Sequence, residues 1–348
     1  MILRDSWEPN ALVFAFKSGS SRGHAHPSQN EFQIYYNGKP VTCGAGYATA
    51  SAENATWAHN CILVDGEGQG QEPGDLWTLP LGTVGEIKQV DISEPYYRYI
   101  LGDATAPYDG RLDKWLRHVA FVEPANYFVI YDQVAASTAK QFDWLLHCKN
   151  YKSETYSLTV EGNWITLEKS GGTIVDSAVK LQTMVVEPEA FAHEILHYFK
   201  PYGREYDYIK VRPAEAASSA QFLTVHFPLA ESGSALPTER VAVGNVIGAK
   251  IVDGNNLDLV LFSTDGNPVN EYIELGGSYE AADGGTYLFE STGVRAQFDS
   301  YQVMRLTTSV GRATSGGIIG ALLIIIALII ILIILSVILL RRRRFTRA

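Results

Sequence analysis

Apolar and polar residues alternate over short runs along most of this chain, and turn-forming residues separate the runs. The runs are rich in β-branched and aromatic residues, and Asn-Gly, Asp-Gly or Gly-Gly pairs follow many of them. No amphipathic helical pattern extends beyond a few turns before residue 318. The pattern therefore predicts antiparallel β-structure, in runs such as LVFAFK, EFQIYYNG, NCILVDG, YYRYILGD, RHVAFVE, YFVIYDQV, QFDWLLHC, FLTVHFPL and DLVLFSTDG.

Many half-buried strands can cover their apolar faces by packing two antiparallel sheets together. We therefore predict a mainly β protein, with an antiparallel β-sandwich of two large sheets over residues 1–190. A smaller C-terminal β-domain is predicted over residues 191–312. The boundary is placed where EPEAFA, RPAEAASSA and ESGSALPTE interrupt the strand rhythm.

The C-terminal part has a different pattern. Residues 318–340 are uncharged and almost wholly apolar, and as a helix they would span about 34 Å, enough to cross a bilayer. We predict a transmembrane helix over residues 316–340 and a basic tail, RRRRFTRA, over residues 341–348. The positive-inside rule places this tail in the cytoplasm and the bulk of the chain outside, in a single-pass topology.

Charge limits the partners that the folded part can attract. The chain carries 28 Lys and Arg and 38 Asp and Glu, and five of the basic residues lie in the tail, so residues 1–340 have a net charge of −15. Such a surface does not attract nucleic acid. An acidic polysaccharide would need a local basic cluster, unless these residues are only scattered solubilising charges. The candidates are Arg22, Lys39, Arg98, Arg111, Lys114 and Arg117.

Three of the eight histidines lie at the edges of two predicted strands. His24 and His26 are two residues apart, so on an extended chain they share a face with their Cβ atoms roughly 7 Å apart. His59 precedes the neighbouring run CILVDG. The three imidazoles could converge on one metal ion or one substrate charge, or they could be surface histidines that fall this way by chance.

These histidine segments resemble a known family. GHAHPSQNEFQIYYNGKP is similar to the Gly-His-x-His signature of heparinase II/III-like polysaccharide lyases, and WAHNCILVDGEGQ is similar to the His-Asn-x-x-x-Val-Asp-Gly-x-x-Gln segment that follows it. FDWLLHC resembles the Trp-Leu-Leu-His end of a later strand. The resemblance extends from about residue 11 to about residue 306, and it implies a β-sandwich that follows a helical toroid. The N-terminus has no signal peptide pattern, so we expect a fragment whose toroid and signal lie upstream.

The resemblance also implies roles for the histidines. His24 would face the substrate, and His26 and His59 would hold a structural zinc ion. The chemistry would be β-elimination on a uronic-acid polysaccharide, which needs a base for the C5 proton and positive charge near the carboxylate. In the family the tyrosine base comes from the toroid, so Tyr35, Tyr36 and Tyr47 are interpreted as packing residues.

Two positions depart from the family pattern. Ser28 and Gly44 stand where the family has aspartates, and the second of these aspartates is a zinc ligand. Cys43 could replace the missing ligand as a thiolate, or water could fill the position. Cys43 and Cys61 could also form a disulfide or be small buried apolar residues.

One further motif indicates different chemistry. HEILH, residues 193–197, matches the HExxH motif of zinc peptidases, which requires a helix to bring both histidines onto one face. Its surroundings have a β pattern, so a loop or strand is the preferred interpretation and a metallopeptidase is a minor alternative.

The sequence thus predicts a membrane-anchored polysaccharide lyase that contributes the zinc-supported half of the site and acts on an acidic polysaccharide. The main alternative is a non-catalytic carbohydrate-binding or cell-surface module. The specific polysaccharide and the oligomeric state are not predicted.

Overall fold

The computed structural model describes residues 1–20, 26–42, 44, 55–70, 84–149, 154–171, 178–200 and 204–309. In this part helix is confined to two 3-10 turns, Thr56–Ala58 and Ala106–Tyr108. In chain order the strands are β1 (Ile2–Arg4), β2 (Val13–Lys17), β3 (Glu31–Tyr36), β4 (Lys39–Thr42), β5 (Ile62–Val64), β6 (Glu86–Asp91), β7 (Tyr97–Asp103), β8 (Lys114–Val122), β9 (Tyr127–Lys140), β10 (Phe142–Lys149), β11 (Glu154–Glu161), β12 (Trp164–Gly171), β13 (Val179–Glu187), β14 (Phe191–Lys200), β15 (Arg204–Pro213), β16 (Ala217–Ala230), β17 (Thr238–Val243), β18 (Val246–Asp253), β19 (Asn256–Ser263), β20 (Val269–Glu274), β21 (Tyr279–Ala281), β22 (Leu288–Glu290), β23 (Gly293–Phe298) and β24 (Tyr301–Thr308).

Antiparallel pairing joins these strands into five sheets within the described ranges. The largest has eight strands in the order β11-β12-β13-β16-β9-β8-β7-β6. Two four-stranded sheets have the orders β1-β2-β3-β4 and β14-β15-β10-β5. The C-terminal part forms a five-stranded sheet, β17-β18-β19-β24-β21, and a three-stranded sheet, β20-β23-β22.

The middle strands of the eight-stranded sheet, β16, β9 and β8, are buried on both faces over most of their length. Along β9, Phe128 and Ile130 pack into one apolar core, while Tyr127, Val129 and Tyr131 pack into another. The first core lies under the two four-stranded sheets, and the second lies against the five-stranded sheet. A third core joins the five- and three-stranded sheets. Because successive side chains along a strand point to opposite faces, the unbroken apolar run from Tyr127 to Tyr131 requires cover on both sides of the sheet.

The prediction of a mainly β, antiparallel fold is confirmed. The described residues form five sheets, more than the two large sheets and one smaller domain that the sequence suggests. Hydrogen bonding also continues across residue 190, since β14 and β15 extend the sheet of β10, and β16 lies between β13 and β9. The predicted membrane segment, residues 318–340, and the arginine tail lie outside the described residues. Within the described ranges, no helix has the length and apolar character needed to cross a membrane.

The first four-stranded sheet positions the candidate site. Its inner face is apolar, with Phe14, Phe16, Phe32 and Ile34 in the core. Because the side chains alternate, the outer face of β2 carries Lys17 and that of β3 carries Glu31, and these two residues are directly paired across the strands. The Lys17–Glu31 pair therefore lies at the end of the outer face where β3 begins, directly after the first histidine motif.

Two buried histidines in the central sheet should make the fold sensitive to acid. His118 lies 2.8 Å from the Tyr99 hydroxyl through Nδ1, and His226 lies between the Thr183 and Thr224 hydroxyls, each 2.9 Å away. Burial lowers the pKa of both to about 3, and the charges of Lys114 and Arg117 act in the same direction on His118 and His226 respectively. Both rings are therefore neutral in the native state at pH 7.

We expect stability to fall as the pH is lowered from 7 to 5. A histidine whose native pKa is depressed contributes stability that is complete above its unfolded pKa and is lost as the pH falls toward its native pKa. Each of the two should therefore remove about 2 kcal/mol of unfolding free energy over this interval. Urea unfolding at several pH values tests this. His226→Gln should reduce the pH dependence and the exposed His193→Gln should not; a flat profile in the unaltered chain would contradict the expectation.

Candidate active site

His26 and His59 meet at the outer edge of the first sheet. His26 lies in the turn that precedes β3, and His59 follows the 3-10 turn Thr56–Ala58. His26 Nδ1 and His59 Nε2 are 3.1 Å apart, and both side chains are almost fully buried. Burial lowers the pKa of His26 to about 4, with the charges of His59 and Lys17 adding to the effect. The structure thus brings together two of the three histidines that the sequence singles out; His24 lies outside the described residues.

Glu31, the first residue of β3, completes a chain of three contacts. Its Oε1 lies 2.9 Å from His59 Nδ1. Burial alone would raise the pKa of this carboxyl, but the charge and hydrogen bond of His59, the charge of Lys17 and a hydrogen bond from Ser28 lower it to about 2. Glu31 is therefore a carboxylate at neutral pH. Such an acceptor favours the His59 tautomer with its proton on Nδ1, which leaves the Nε2 lone pair directed at His26.

Lys17 supplies the positive charge of the cluster. Its Nζ donates to the His26 carbonyl oxygen at 3.0 Å and to Ser28 Oγ at 2.8 Å. Burial lowers the pKa of this ammonium group, while the charge of Glu31 opposes the shift. Ser28, where the family pattern has an aspartate, thus binds the lysine that balances Glu31.

Gly44 lies directly beside Glu31 and His59. A Cβ atom built on Gly44 would lie 2.3 Å from Glu31 Oε1 and 2.4 Å from His59 Nδ1. The Glu31 carboxylate therefore occupies the space that a side chain at position 44 would need. A carboxylate is present beside His59, but β3 provides it, and Cys43 lies outside the described residues.

Arg117, on β8, joins the segment before β3 to the segment that follows His59. Both members of its ion pair with Asp132 are fully buried, with Nε and Nη2 each donating to a carboxylate oxygen at 2.8 and 2.9 Å. Nη1 donates to the backbone carbonyl oxygens of Asn30 and Asn60 at 2.6 and 2.7 Å. These asparagines directly precede Glu31 and follow His59, so Arg117 fixes the backbone on both sides of the cluster.

The remaining motif residues join the three sequence segments. Gln69 pairs with the backbone of Gln29, accepting from its nitrogen at 2.7 Å and donating to its oxygen at 2.9 Å. Asn60 donates to the Phe32 oxygen at 2.8 Å and accepts from the His147 backbone nitrogen, also at 2.8 Å. His147 in turn donates from Nε2 to the Trp57 oxygen at 2.8 Å. The motifs that resemble the family therefore contain residues that hold the site segments together, in addition to the histidines of the cluster.

Several sequence candidates do not belong to the cluster. Arg98 pairs with Glu123, Arg111 lies 2.9 Å from Glu67, and Lys39 is buried beside Glu154. Arg117 is buried as well, so these four basic residues do not form a cluster open to an anionic substrate, and Lys114 is half-buried at the start of β8. Arg22 and Tyr47 lie outside the described residues. Cys61 is buried in the core, where burial keeps its thiol protonated by raising the pKa.

The metallopeptidase alternative is wrong. Its motif lies in β14, a strand, so the Cα atoms of His193 and His197 are about 13 Å apart at the rise of an extended chain. His197 instead contacts Asp207 on β15. Two histidines at this spacing cannot bind one zinc ion, because each ligand atom must approach within about 2.1 Å.

The His26–His59–Glu31 arrangement has features that suit a metal ligand set. Two ligand atoms on a tetrahedral zinc ion, each at about 2.0–2.1 Å, are about 3.3 Å apart, close to the 3.1 Å between the two ring nitrogens. A carboxylate on the second nitrogen of a ligating histidine is the usual outer support of such sites. Within the described residues, no group of three or more His, Cys, Asp or Glu side chains forms a candidate metal site. The two histidine nitrogens thus have a spacing that fits shared ligation, and the zinc ion and its ligands remain a prediction.

Comparison with known proteins identifies the family. The profile of the C-terminal domain of heparinase II/III-like proteins matches residues 1–205, more than half of the chain. This chain belongs to the heparinase II/III-like family. The matched region contains the histidine cluster, Arg117 and His147. Among curated protein sequences none matches significantly.

Solved structures agree with the heparinase II/III-like assignment at the level of the fold. A heparinase III gene product is 18% identical with a TM-score of 0.53, over 76% of this chain and 38% of its own. The heparan sulfate lyase HepC from Pedobacter heparinus is 15% identical with a TM-score of 0.55, over 76% and 41%. A further heparinase III is 15% identical with a TM-score of 0.54, over 75% and 41%. The chain thus spans about two fifths of the length of these structures.

Proposed function

We propose that this heparinase II/III-like chain is the metal-supported half of the active site of a polysaccharide lyase. The observation that carries the proposal is the buried contact chain from His26 through His59 to Glu31. It lies at the edge of the first sheet, two residues beyond His24 in the sequence. Lys17 and His59 both contact His26, which follows His24 by two residues in the sequence.

The proposed reaction is β-elimination on a uronic-acid polysaccharide. A base removes the C5 proton, the bond between C4 and O4 breaks, a C4–C5 double bond forms, and O4 leaves with a proton. We assign His24 to the substrate carboxylate, where an imidazole offsets the charge that develops when C5 loses its proton. Lys17 donates to the His26 carbonyl oxygen and Glu31 contacts His59 Nδ1, so we assign both residues a positioning role.

His26 and His59 would hold the metal, through the ring nitrogens that face each other. Bound zinc would supply a rigid link between the segment before β3 and the segment after the 3-10 turn. Glu31 would orient His59 by accepting its Nδ1 proton. The base that removes the C5 proton has no counterpart in this cluster, and we propose that it comes from a helical domain upstream.

Elimination activity tests this proposal, through the ultraviolet absorbance of the unsaturated product. The chain alone should be nearly inactive on uronic-acid polysaccharides, and a fusion that adds the helical domain of a heparinase III upstream should be active. His24→Ala in the fusion should lower the rate by about 10²–10⁴-fold while the melting temperature changes little.

A fully active His24→Ala fusion would contradict the role of His24. Robust elimination by the chain alone would show that the base lies in this chain. A correctly folded fusion that binds polysaccharide without cleaving it would favour the carbohydrate-binding alternative.

We also propose that residues 318–340 anchor the protein in a membrane with residues 341–348 in the cytoplasm. The support is 23 consecutive uncharged residues followed by a tail with five arginines, which resist translocation. Protease added to intact cells should digest the part before residue 316. Protection of this part until the cells are lysed would contradict the orientation.

A further inference from the structure

Arg4 stands apart from the other arginines of the chain. Those with described side chains each form an ion pair with a described carboxylate, except Arg4: the paired ones are Arg98, Arg111, Arg117, Arg212, Arg240, Arg295 and Arg305. The Arg4 Nε donates to the Ser6 carbonyl oxygen at 2.5 Å. Neither of its Nη groups has a hydrogen-bond partner among the described residues. In a strongly acidic chain, this guanidinium is available to an anion.

Trp7 lies beside this guanidinium. The Arg4 guanidinium carbon is 4.1 Å from the centre of the indole ring, and Trp7 is nevertheless 87% exposed. One face of the ring is therefore covered by Arg4, and the opposite face is open. An exposed aromatic face is a stacking surface for a sugar ring, and the adjacent arginine can form two hydrogen bonds with a carboxylate or sulfate oxygen pair.

These two residues border a groove of about 430 Å³ whose floor includes Val13 and Tyr35. Glu8 also lines the groove and forms no ion pair with Arg4 within the described residues. The volume is within the usual range for small-ligand sites, roughly 300–1,000 Å³. The groove can therefore hold a saccharide unit that contacts both Arg4 and Trp7.

The strand register connects this groove to the histidine cluster. Arg4 pairs with Val13 and Val13 with Tyr35, while Lys17 pairs with Glu31 at the other end of the same face. The row of paired residues Arg4, Val13 and Tyr35 lies four residues along the strands from the Lys17–Glu31 pair, a distance of about 13 Å. A polar ladder lies between them, since the Tyr35 hydroxyl donates to Gln33 Oε1 at 3.0 Å and Gln33 Nε2 donates to Glu31 Oε1 at 3.3 Å.

We propose that Arg4 and Trp7 form a distal subsite for an acidic sugar unit of the polysaccharide that reacts at the histidine cluster. The inference rests on the proposed function and specifies its substrate as a chain of several sugar units with a carboxylate or sulfate away from the cleavage point. Trp7 stacks on the sugar ring, and Arg4 pairs with its acidic group. The groove and the histidine cluster are about 13 Å apart. Only an oligosaccharide long enough to span this distance contacts both of them.

Binding of oligosaccharides of defined length tests the subsite. The full chain in detergent is titrated calorimetrically with hyaluronan octasaccharide, whose only acidic groups are carboxylates, with heparan sulfate octasaccharide, which also has sulfates, and with the corresponding disaccharides. Trp7→Ala and Arg4→Gln should each weaken octasaccharide binding by about three- to tenfold. Disaccharides, which reach only one of the two places, should bind the unaltered chain more weakly than octasaccharides do. Trp7→Phe should retain most of the affinity.

Ile92→Ala is the matched control, because Ile92 is also exposed (60%) and lies next to a different sheet. It should bind both octasaccharides as the unaltered chain does. If Arg4→Gln weakens both octasaccharides, the acidic group is a carboxylate; if it weakens heparan sulfate alone, the group is a sulfate, and either result supports the subsite.

Octasaccharide affinity that is unchanged in both Trp7→Ala and Arg4→Gln would overturn the subsite, as would an unaltered chain that binds neither octasaccharide. The first result leaves the lyase proposal standing, because the elimination assay tests it separately. Conversely, Trp7-dependent binding together with an inactive fusion would support the subsite and contradict the lyase.

Discussion

Replacing Arg117 with methionine should destabilise the fold by about 3–5 kcal/mol, since it leaves the buried Asp132 carboxylate without its charge partner. Asp132 would retain the hydrogen bond from Trp115 Nε1, at 2.8 Å, but no cation. The carbonyl groups of Asn30 and Asn60 would also lose their donor, so the segments that carry Glu31 and His59 should separate. Urea unfolding measures the change.

The control for this variant is Arg111→Met. Arg111 also pairs with a carboxylate, but Glu67 is 72% exposed, so the loss should be under about 1 kcal/mol. In Arg117→Met, adding Asp132→Leu should recover part of the stability, because no unpaired charge would then be buried. Equal, small losses for Arg117→Met and Arg111→Met would show that the buried pair does not hold the site together.

Glu31→Gln should weaken zinc binding by about 10–100-fold, since an amide accepts the His59 Nδ1 proton less strongly than a carboxylate does. Zinc affinity measured by competition with a chelator tests this. Asp143→Asn is the control, because Asp143 is a buried carboxylate that pairs with Arg212 on another sheet. Its zinc affinity should equal that of the unaltered chain.

The space around Gly44 allows a second, complementary variant. Because a Cβ atom at position 44 would lie 2.4 Å from His59 Nδ1 as well as 2.3 Å from Glu31 Oε1, Gly44→Ala should displace the His59 ring. Gly44→Ala should therefore weaken zinc binding in the same chelator competition, as Glu31→Gln does. If Glu31→Ala binds zinc as the unaltered chain does, Glu31 does not support the site.

The strands could be predicted from the sequence because they depend on local signals, whereas the meeting of His26 with His59, 33 residues apart, is expected from the resemblance to the heparinase II/III-like family. The alternation in EFQIYY indicates one buried face for β3, and this face contains Phe32 and Ile34. The hydropathy pattern also indicates many strands, but it cannot show which strands cover each face of the central sheet. That depends on pairing between residues far apart, such as β16 with β9.

The contact of Glu31 with His59 and the supporting role of Arg117 could not be predicted for the same reason. Glu31 follows the first histidine motif directly, but its contact with His59 depends on the packing of a segment 28 residues away and on the space beside Gly44. The sequence suggests Arg117 either as part of a basic cluster or as a solubilising surface charge, because arginine is rarely buried. Its full burial depends on the pairing with Asp132 on the neighbouring strand. A sequence signal for Glu31 exists in hindsight: it is the first outward-facing residue of β3.

The zinc content of the purified full chain tests the central claim most directly. Chains prepared without chelator should carry close to one equivalent of zinc, measured by atomic emission. His59→Ala should carry almost none and melt at a lower temperature, because a metal that binds only the native state adds to the free energy of unfolding. His193→Ala, which removes an exposed histidine of β14, should retain the full equivalent. A metal-free unaltered chain, whose stability does not change when zinc is added, would contradict the metal-supported site.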